Sequence, residues 1–228
     1  MKPSTSAVVA TALLLSAGSA GAQLTDTCDG LTGYQQPLVA ITSVASDVLD
    51  QNGLNRKIAE ASAPGGAIVP FEGEFITAAR IWGFSFEQGG GVIGDCDVDD
   101  LTPFDVALYD SVGGVPGSPL QSSEVVAQLT NIGDIAPFTA KRYDFSFDPP
   151  LPVSGGSWIS FQRQLGKQTP NGNECVFAWL MTDIDGFDAL VAKTDEGLPW
   201  ETLSVNDASL CLEFAQVPVE LQSFSVSD

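Results

Sequence analysis

The sequence contains no histidine. This absence excludes Ser-His-Asp and Cys-His catalysis, zinc sites built on histidine, and the usual general base near neutral pH. Any catalysis would have to use carboxylates, lysine, tyrosine or hydroxyl groups. The sequence also lacks the roughly 18 or more consecutive apolar residues that a transmembrane helix needs, so we expect no membrane span.

Basic residues are few. The 228 residues include nine Lys and Arg against 29 Asp and Glu, which gives a formal net charge of −20 at pH 7. Because nucleic-acid binding depends on Lys and Arg that neutralise phosphates, we expect no nucleic-acid partner. The acids are spread along the chain, which favours a solvated acidic surface over a specific cation-binding role.

Residues 1–22 have the pattern of a cleaved export signal. Lys2 gives a positive start, residues 7–15 form a short apolar run, and Ala20-Gly21-Ala22 supplies small residues for cleavage. We therefore expect a secreted, extracellular protein whose mature chain starts at Gln23.

The rest of the chain is predicted to be all-β. From residue 65 onward, short alternating apolar runs are separated by Gly, Pro, Asn and Asp. Tyr143, Phe145 and Phe147, for example, fall on one face of a strand. Residues 175–180 are apolar throughout, which indicates a central strand covered on both faces. About eight or nine such strands predict an antiparallel, jelly-roll-like β-sandwich.

The mature chain is expected to hold one folded domain, since no repeat or linker divides it. Only residues 46–61 are compatible with a helix, and it would be short. The expected parts are an N-terminal segment with little regular structure (23–64), a β-sandwich domain (65–216) and a C-terminal tail (217–228).

Four cysteines, Cys28, Cys96, Cys175 and Cys211, lie in the mature chain. An even count in an exported chain indicates two disulfides, and the wide spacing argues against a four-thiolate zinc site. Three pairings are possible. Because the termini of a sandwich often meet, and because Cys175 opens the central strand, we favour Cys28–Cys211 together with Cys96–Cys175.

An acidic loop contains Asp95, Asp97 and Asp99 at alternate positions. Such spacing is how a cage of oxygen ligands for Ca²⁺ begins. The loop departs from the EF-hand pattern, since Asp100 stands where that pattern has Gly, and a second acidic turn at residues 183–188 departs similarly. The two interpretations are a Ca²⁺ site and an ordinary solvated acidic turn.

The four tryptophans are candidates for a sugar-binding surface, because aromatic faces pack well against pyranose rings. Trp82 and Trp179 lie in strands with apolar neighbours, and we expect both in the core. Trp158 begins a strand and Trp200 lies in a loop. These two are therefore the candidate ligand-binding residues.

Residues 104–120, FDVALYDSVGGVPGSPL, resemble a group of exported bacterial jelly-roll domains of the PEP-CTERM and choice-of-anchor type. Residues 75–83, residues 145–160 and the series Trp179, Trp200, Leu212-Glu213-Phe214 are similar to further motifs of that group, in the same order. The group is largely uncharacterised, so the resemblance implies a fold and a compartment and no particular site.

Residues 217–224 look like a linker found near the end of many exported bacterial proteins. Such a linker often precedes a sorting tail, whereas this chain stops four residues later. We therefore expect release from the cell, or attachment to its surface through a partner.

These observations predict a secreted, non-catalytic binding or surface-matrix module. Polysaccharide is the expected ligand class, by analogy with other sandwiches, and a surface protein is the other partner class. One alternative is a carboxylate-dependent extracellular glycoside hydrolase, for which Glu72 and Glu74 illustrate paired acids on one strand face. The other is a purely structural acidic surface protein. Ca²⁺ is the one cofactor that the sequence suggests.

Overall fold

The protein folds as an all-β antiparallel sandwich. The computed structural model describes residues 24–33, 35–40, 43–45, 47–50, 53–61, 74–89, 92–96, 101–135, 137–153, 157–163, 174–182, 190–193, 199–203 and 208–216. In these residues every regular element is a strand and every strand pair is antiparallel, which confirms the predicted fold class. No helix long and apolar enough to cross a membrane is found in the described part of the chain.

The described residues contain 17 strands, nine of them with seven or more residues, whereas the sequence predicts about eight or nine strands. The strands are β1 (Leu24–Thr25), β2 (Gln35–Gln36), β3 (Val39–Ala40), β4 (Ser43–Ala45), β5 (Asp47–Asp50), β6 (Gly53–Ala61), β7 (Glu74–Gly89), β8 (Val92–Asp95), β9 (Phe104–Val112), β10 (Val115–Val125), β11 (Gln128–Ile135), β12 (Phe138–Val153), β13 (Ser157–Arg163), β14 (Glu174–Leu180), β15 (Leu190–Lys193), β16 (Glu201–Leu203) and β17 (Leu210–Gln216).

Two sheets form the sandwich. The seven-stranded sheet has the order β10-β9-β13-β6-β15-β16, with β5 also paired to β6. The eight-stranded sheet has the order β11-β12-β7-β14-β4, with β8 and β17 also paired to β7 and β2 paired to β17. The long strand β7 is therefore the centre of the larger sheet. Strands β1 and β3 form a separate two-stranded sheet.

The main core lies between the two sheets. Phe104 of the smaller sheet meets Tyr143, Phe145 and Phe177 of the larger one, with ring centroids 5.1–5.4 Å apart and the rings edge to face. The predicted inward face of β12 is confirmed, because Tyr143, Phe145 and Phe147 are all buried in this core. Alternation along the strands thus assigns one face of each sheet to the interior.

A second apolar cluster covers the outer face of the larger sheet. Trp82, Phe84 and Phe86 point away from the main core and belong instead with Phe138 and other buried side chains. Residues 24–33 and 35–40, which we call the N-terminal strap, contribute Leu38 and Cys28 to this cluster. The larger sheet is therefore buried on both faces, as the unbroken apolar sequence of β14 predicts.

Two disulfides connect these layers, and their pairing is the favoured one. Cys28–Cys211 fastens the N-terminal strap to β17, with 5.7 Å between the Cα atoms. Cys96–Cys175 joins the end of β8 to the start of β14, with 6.0 Å between the Cα atoms. Since both β8 and β14 pair with β7, the second bond crosses from one side of that strand to the other.

The N-terminal part differs from its prediction. The sequence predicts little regular structure in residues 23–64, whereas the structure places six strands there, β1 to β6. The one candidate helix, residues 46–61, instead contains β5 and β6. Strand β6 pairs with β5, β13 and β15. Sheet pairing has therefore overridden the helical propensity of its residues.

The turn between β9 and β10 explains part of the motif in residues 104–120. Gly113 and Gly114 have φ angles of +64° and +82°, and Val112 pairs with Val115 across them. A two-residue turn with positive φ at both positions matches the twist of a β-hairpin, and glycine adopts it without strain. The Gly-Gly pair is thus a structural signature of the hairpin.

Candidate functional site

An aromatic cluster lies on the outer face of the seven-stranded sheet. It consists of Tyr109, Trp158 and Trp200, packed with Ala107 and Val191, and we call it the outer-face cluster. In β9 the residues at even positions enter the main core, so the odd-numbered tyrosine points to the opposite side of the sheet.

Two contacts assemble this cluster. Trp158 of β13 lies directly across from Tyr109 of β9 in the strand register. The ring of Trp200 meets the ring of Tyr109 edge to face, with 6.0 Å between centroids and 80° between ring planes. Three strands, β13, β6 and β15, separate β9 from the strand that follows Trp200. The contact therefore joins residues from strands that are not neighbours in the sheet.

Trp158 is a core residue of the cluster rather than a ligand-binding surface. Its side chain is 0% exposed, and its Nε1 donates a hydrogen bond to Ser111 Oγ at 3.2 Å. The sequence prediction that Trp158 contacts a ligand is therefore wrong, because no ring face is available to solvent. Trp158 belongs to the apolar cluster against which Trp200 packs.

Trp82 and Trp179 are buried, as predicted. Trp82 Nε1 donates to Asp26 Oδ2 at 2.8 Å, and Trp179 Nε1 donates to the carbonyl oxygen of Ser209 at 2.8 Å. Both indole groups thus have internal polar partners. Among the four tryptophans, Trp200 alone keeps part of its side chain at the surface.

The acidic loop is only partly described. Asp95 is the exposed last residue of β8, and the disulfide of Cys96 follows it. Asp97 and Asp99 lie outside the described residues, as does the second acidic turn at 183–188. In the described part of the chain, no three or more His, Cys, Asp or Glu side chains come together as metal ligands. The Ca²⁺ site stays a prediction.

A charged network holds the N-terminal strap on the larger sheet. Arg80 Nε lies 2.5 Å from Asp144 Oδ1, and its Nη1 donates to the carbonyl oxygens of Thr27 at 2.9 Å and Asp29 at 3.1 Å. Arg142 Nε lies 2.8 Å from the other oxygen of Asp144. These two guanidinium groups therefore stabilise the fold.

Arg163 is buried between the sheets and is 2% exposed. Its Nη1 donates to Ser85 Oγ at 2.9 Å and to Tyr143 Oη at 3.4 Å. Its guanidinium carbon lies 5.6 Å from the ring centroid of Phe104 and 5.5 Å from that of Tyr143, within the range of cation–π contacts. This arginine ties the sheets together from inside the core.

Tyr109 is the residue of the candidate site that sequence reasoning missed. The alternation of Phe104, Val106 and Leu108 indicates that it points to the other face of β9. That signal predicts an outward aromatic ring. It does not reveal the contact with Trp200, which is 91 residues away in the sequence.

Comparison with known proteins identified no relative of this chain. The sequence matches no protein-family model, and no curated protein and no solved structure matches it. The resemblance to exported jelly-roll domains therefore stays a prediction, whereas the sandwich architecture itself is shown by the structure.

Proposed function

We propose that the protein is an extracellular, non-catalytic polysaccharide-binding module, and that Trp200 is its principal ligand contact. The single observation that supports this proposal most is the placement of Trp200. Three of the four tryptophans are buried in the fold, while the fourth retains an exposed portion at the sheet surface. Tryptophan is enriched at binding surfaces because its large ring loses little conformational entropy on binding.

The surroundings of Trp200 support a fixed binding surface. The edge-to-face contact with Tyr109 restrains the indole ring of Trp200, and Trp158 of the same cluster is held by a hydrogen bond to Ser111. A ring restrained before binding loses less freedom when a ligand arrives. A sugar ring stacked on an indole needs this kind of fixed apolar surface.

The absence of histidine and the two disulfides support the non-catalytic and extracellular parts of the proposal. The hydrolase alternative rests on paired acids. Of its example pair, Glu72 lies outside the described residues and Glu74 begins β7. The purely structural alternative is favoured by the charge of −20 and predicts that no polysaccharide binds.

Replacing Trp200 is expected to abolish or strongly weaken polysaccharide binding. We expect Trp200→Ala to reduce affinity by about tenfold or more, since residues of this kind contribute about 1.4 kcal/mol or more. Trp200→Phe retains an aromatic face and should keep most of the affinity. Pull-down on a panel of insoluble polysaccharides, followed by titration of the best ligand, measures both variants.

Leu101→Ala provides a matched control, because Leu101 is 71% exposed and lies outside the cluster. Its binding should equal that of the unmodified protein. Binding that is unaffected by Trp200→Ala would refute the proposed site. A complete lack of polysaccharide binding would favour the structural alternative.

A further inference from the structure

We propose that the polysaccharide site extends from Trp200 onto the edge strand β10, where Pro119 packs against the ligand and Ser122 hydrogen-bonds to its hydroxyl groups. This inference rests on the proposed function of Trp200 and deepens it. It adds two contact residues, and it specifies the ligand as a run of several sugar units rather than a single sugar. The strand register, the exposure of the two residues and the local lack of charge support it.

The strand register places both residues on the outer face of the seven-stranded sheet. Pro119 lies directly across from Tyr109, and Ser122 lies directly across from Ala107. Tyr109 and Ala107 belong to the outer-face cluster, and residues directly opposite each other on paired strands project from the same face. Pro119 and Ser122 therefore border the cluster on its β10 side.

Two bulges in β10 produce this placement. The register shifts between Pro116 and Pro119 and again between Pro119 and Gln121. Each shift adds one residue to β10 relative to β9. Without the first added residue, Pro119 would lie across from Leu108, which faces the main core. Bulges occur at sheet edges and beside functional sites, where they change the direction of a side chain. Here they direct Pro119 to the face that carries the cluster.

The exposure of these residues leaves them accessible to a ligand. Pro119 and Ser122 are exposed, whereas Tyr109 beside them is buried. Trp200 contacts the same tyrosine ring from the surface of the cluster. Pro119 and Ser122 are about 7 Å apart along the strand, the spacing of two residues of β9. A sugar ring stacked on Trp200 covers that indole by itself, so contact with β10 requires further sugar units.

The β10 side of the cluster also lacks charged residues. Residues 111–123 contain no Asp, Glu, Lys or Arg, in a chain with a formal net charge of −20. Covering an ionised carboxylate with a ligand costs desolvation free energy, and no such group has to be covered here. The hydroxyl of Ser122 can donate and accept hydrogen bonds, as sugar hydroxyls do. An apolar ring beside a hydroxyl matches the mixed C–H and O–H surface of a sugar.

Oligosaccharides of increasing length test the inference. Retention on insoluble cellulose, xylan, chitin and curdlan identifies the bound polymer, and its oligosaccharides from disaccharide to hexasaccharide are then titrated by calorimetry. The variants are Pro119→Ala, Ser122→Ala, the double variant and Trp200→Ala. Pro152→Ala and Ser146→Ala are matched controls, because both residues are exposed on β12 of the other sheet.

In the unmodified protein we expect the affinity to rise at least about tenfold from disaccharide to hexasaccharide, because only longer oligosaccharides reach β10. Ser122→Ala should lower the affinity for the hexasaccharide about two- to tenfold, the effect of one lost hydrogen bond. Pro119→Ala should lower it about twofold or more through lost apolar contact. The double variant should lose most of the gain with length, and the two controls should bind like the unmodified protein.

Two results would overturn the inference and leave the proposed function intact. One is an affinity that does not change with length. The other is β10 variants that bind like the controls while Trp200→Ala loses binding. If no polymer is retained, or if Trp200→Ala binds like the unmodified protein, the proposed function fails and the inference fails with it.

Discussion

Removal of the Cys28–Cys211 disulfide should lower the free energy of unfolding by about 2–5 kcal/mol. The bond closes a loop of 183 residues and holds the N-terminal strap on β17. Without it, the unfolded chain gains conformational entropy, and the cover over the outer apolar cluster is held by non-covalent contacts alone. Urea denaturation of the double variant Cys28→Ser, Cys211→Ser measures the loss.

The other disulfide provides a matched control. Cys96→Ser with Cys175→Ser opens a loop of 79 residues and leaves the N-terminal strap fastened. Both double variants should lose stability, because loop-closure entropy changes slowly with length. Hydrogen exchange separates them: amides in residues 24–33 should lose protection only when Cys28 and Cys211 are replaced. Equal protection of these amides in both variants would contradict the assigned role of the strap.

Trp82→Ala is expected to lower the free energy of unfolding by about 3–5 kcal/mol, the range for deleting a buried tryptophan side chain. The substitution leaves a cavity between β7 and the N-terminal strap and removes the hydrogen bond to Asp26. Trp200→Ala is the matched control, since it removes the same side chain from a partly exposed position. The melting temperature and denaturation midpoint of the two variants give the comparison.

The difference in stability loss between Trp82→Ala and Trp200→Ala shows which of the two side chains belongs to the core. Trp82→Phe should recover part of the stability, because a phenyl ring refills some of the cavity and the indole hydrogen bond alone stays missing. A loss for Trp200→Ala as large as that for Trp82→Ala would mean that Trp200 is a core residue. Its assignment as a surface contact would then be wrong.

Much of the fold could be predicted because β-strands leave a period of two in the sequence. Alternation in β12 predicted the inward positions of Tyr143, Phe145 and Phe147, and the apolar sequence of β14 predicted burial on both faces. The pairing of Cys28 with Cys211 followed from the proximity of sandwich termini. These features depend on local pattern or on general geometry, which a single sequence contains.

The N-terminal strap could not be predicted in the same way. Its strands β1, β2 and β3 have two residues each, which is too short for any alternation to be seen. Its attachment depends on contacts with distant residues, such as Arg80 with the carbonyl oxygen of Thr27 and Thr32 Oγ1 with Glu213 Oε1. The strand pattern predicted that Trp82 is buried, but it did not reveal which segment covers it.

Only part of the candidate site could be predicted, for the same reason. Trp200 was identified by its loop position, which is a local signal. Trp158 was misassigned because the start of a strand suggests exposure, whereas the structure buries it in a cluster with Tyr109 and Val191 from other strands. Burial of an aromatic residue at a strand end depends on tertiary contacts that one sequence does not encode locally.

Quenching of tryptophan fluorescence by acrylamide tests most directly whether the fold buries three tryptophans and leaves Trp200 for a ligand. We expect the readily quenched part of the emission to disappear in Trp200→Phe and to persist in Trp158→Phe. A bound polysaccharide should protect the same component in the unmodified protein. Quenching that persists in Trp200→Phe, or that disappears in Trp158→Phe, would contradict the assigned positions of these two residues.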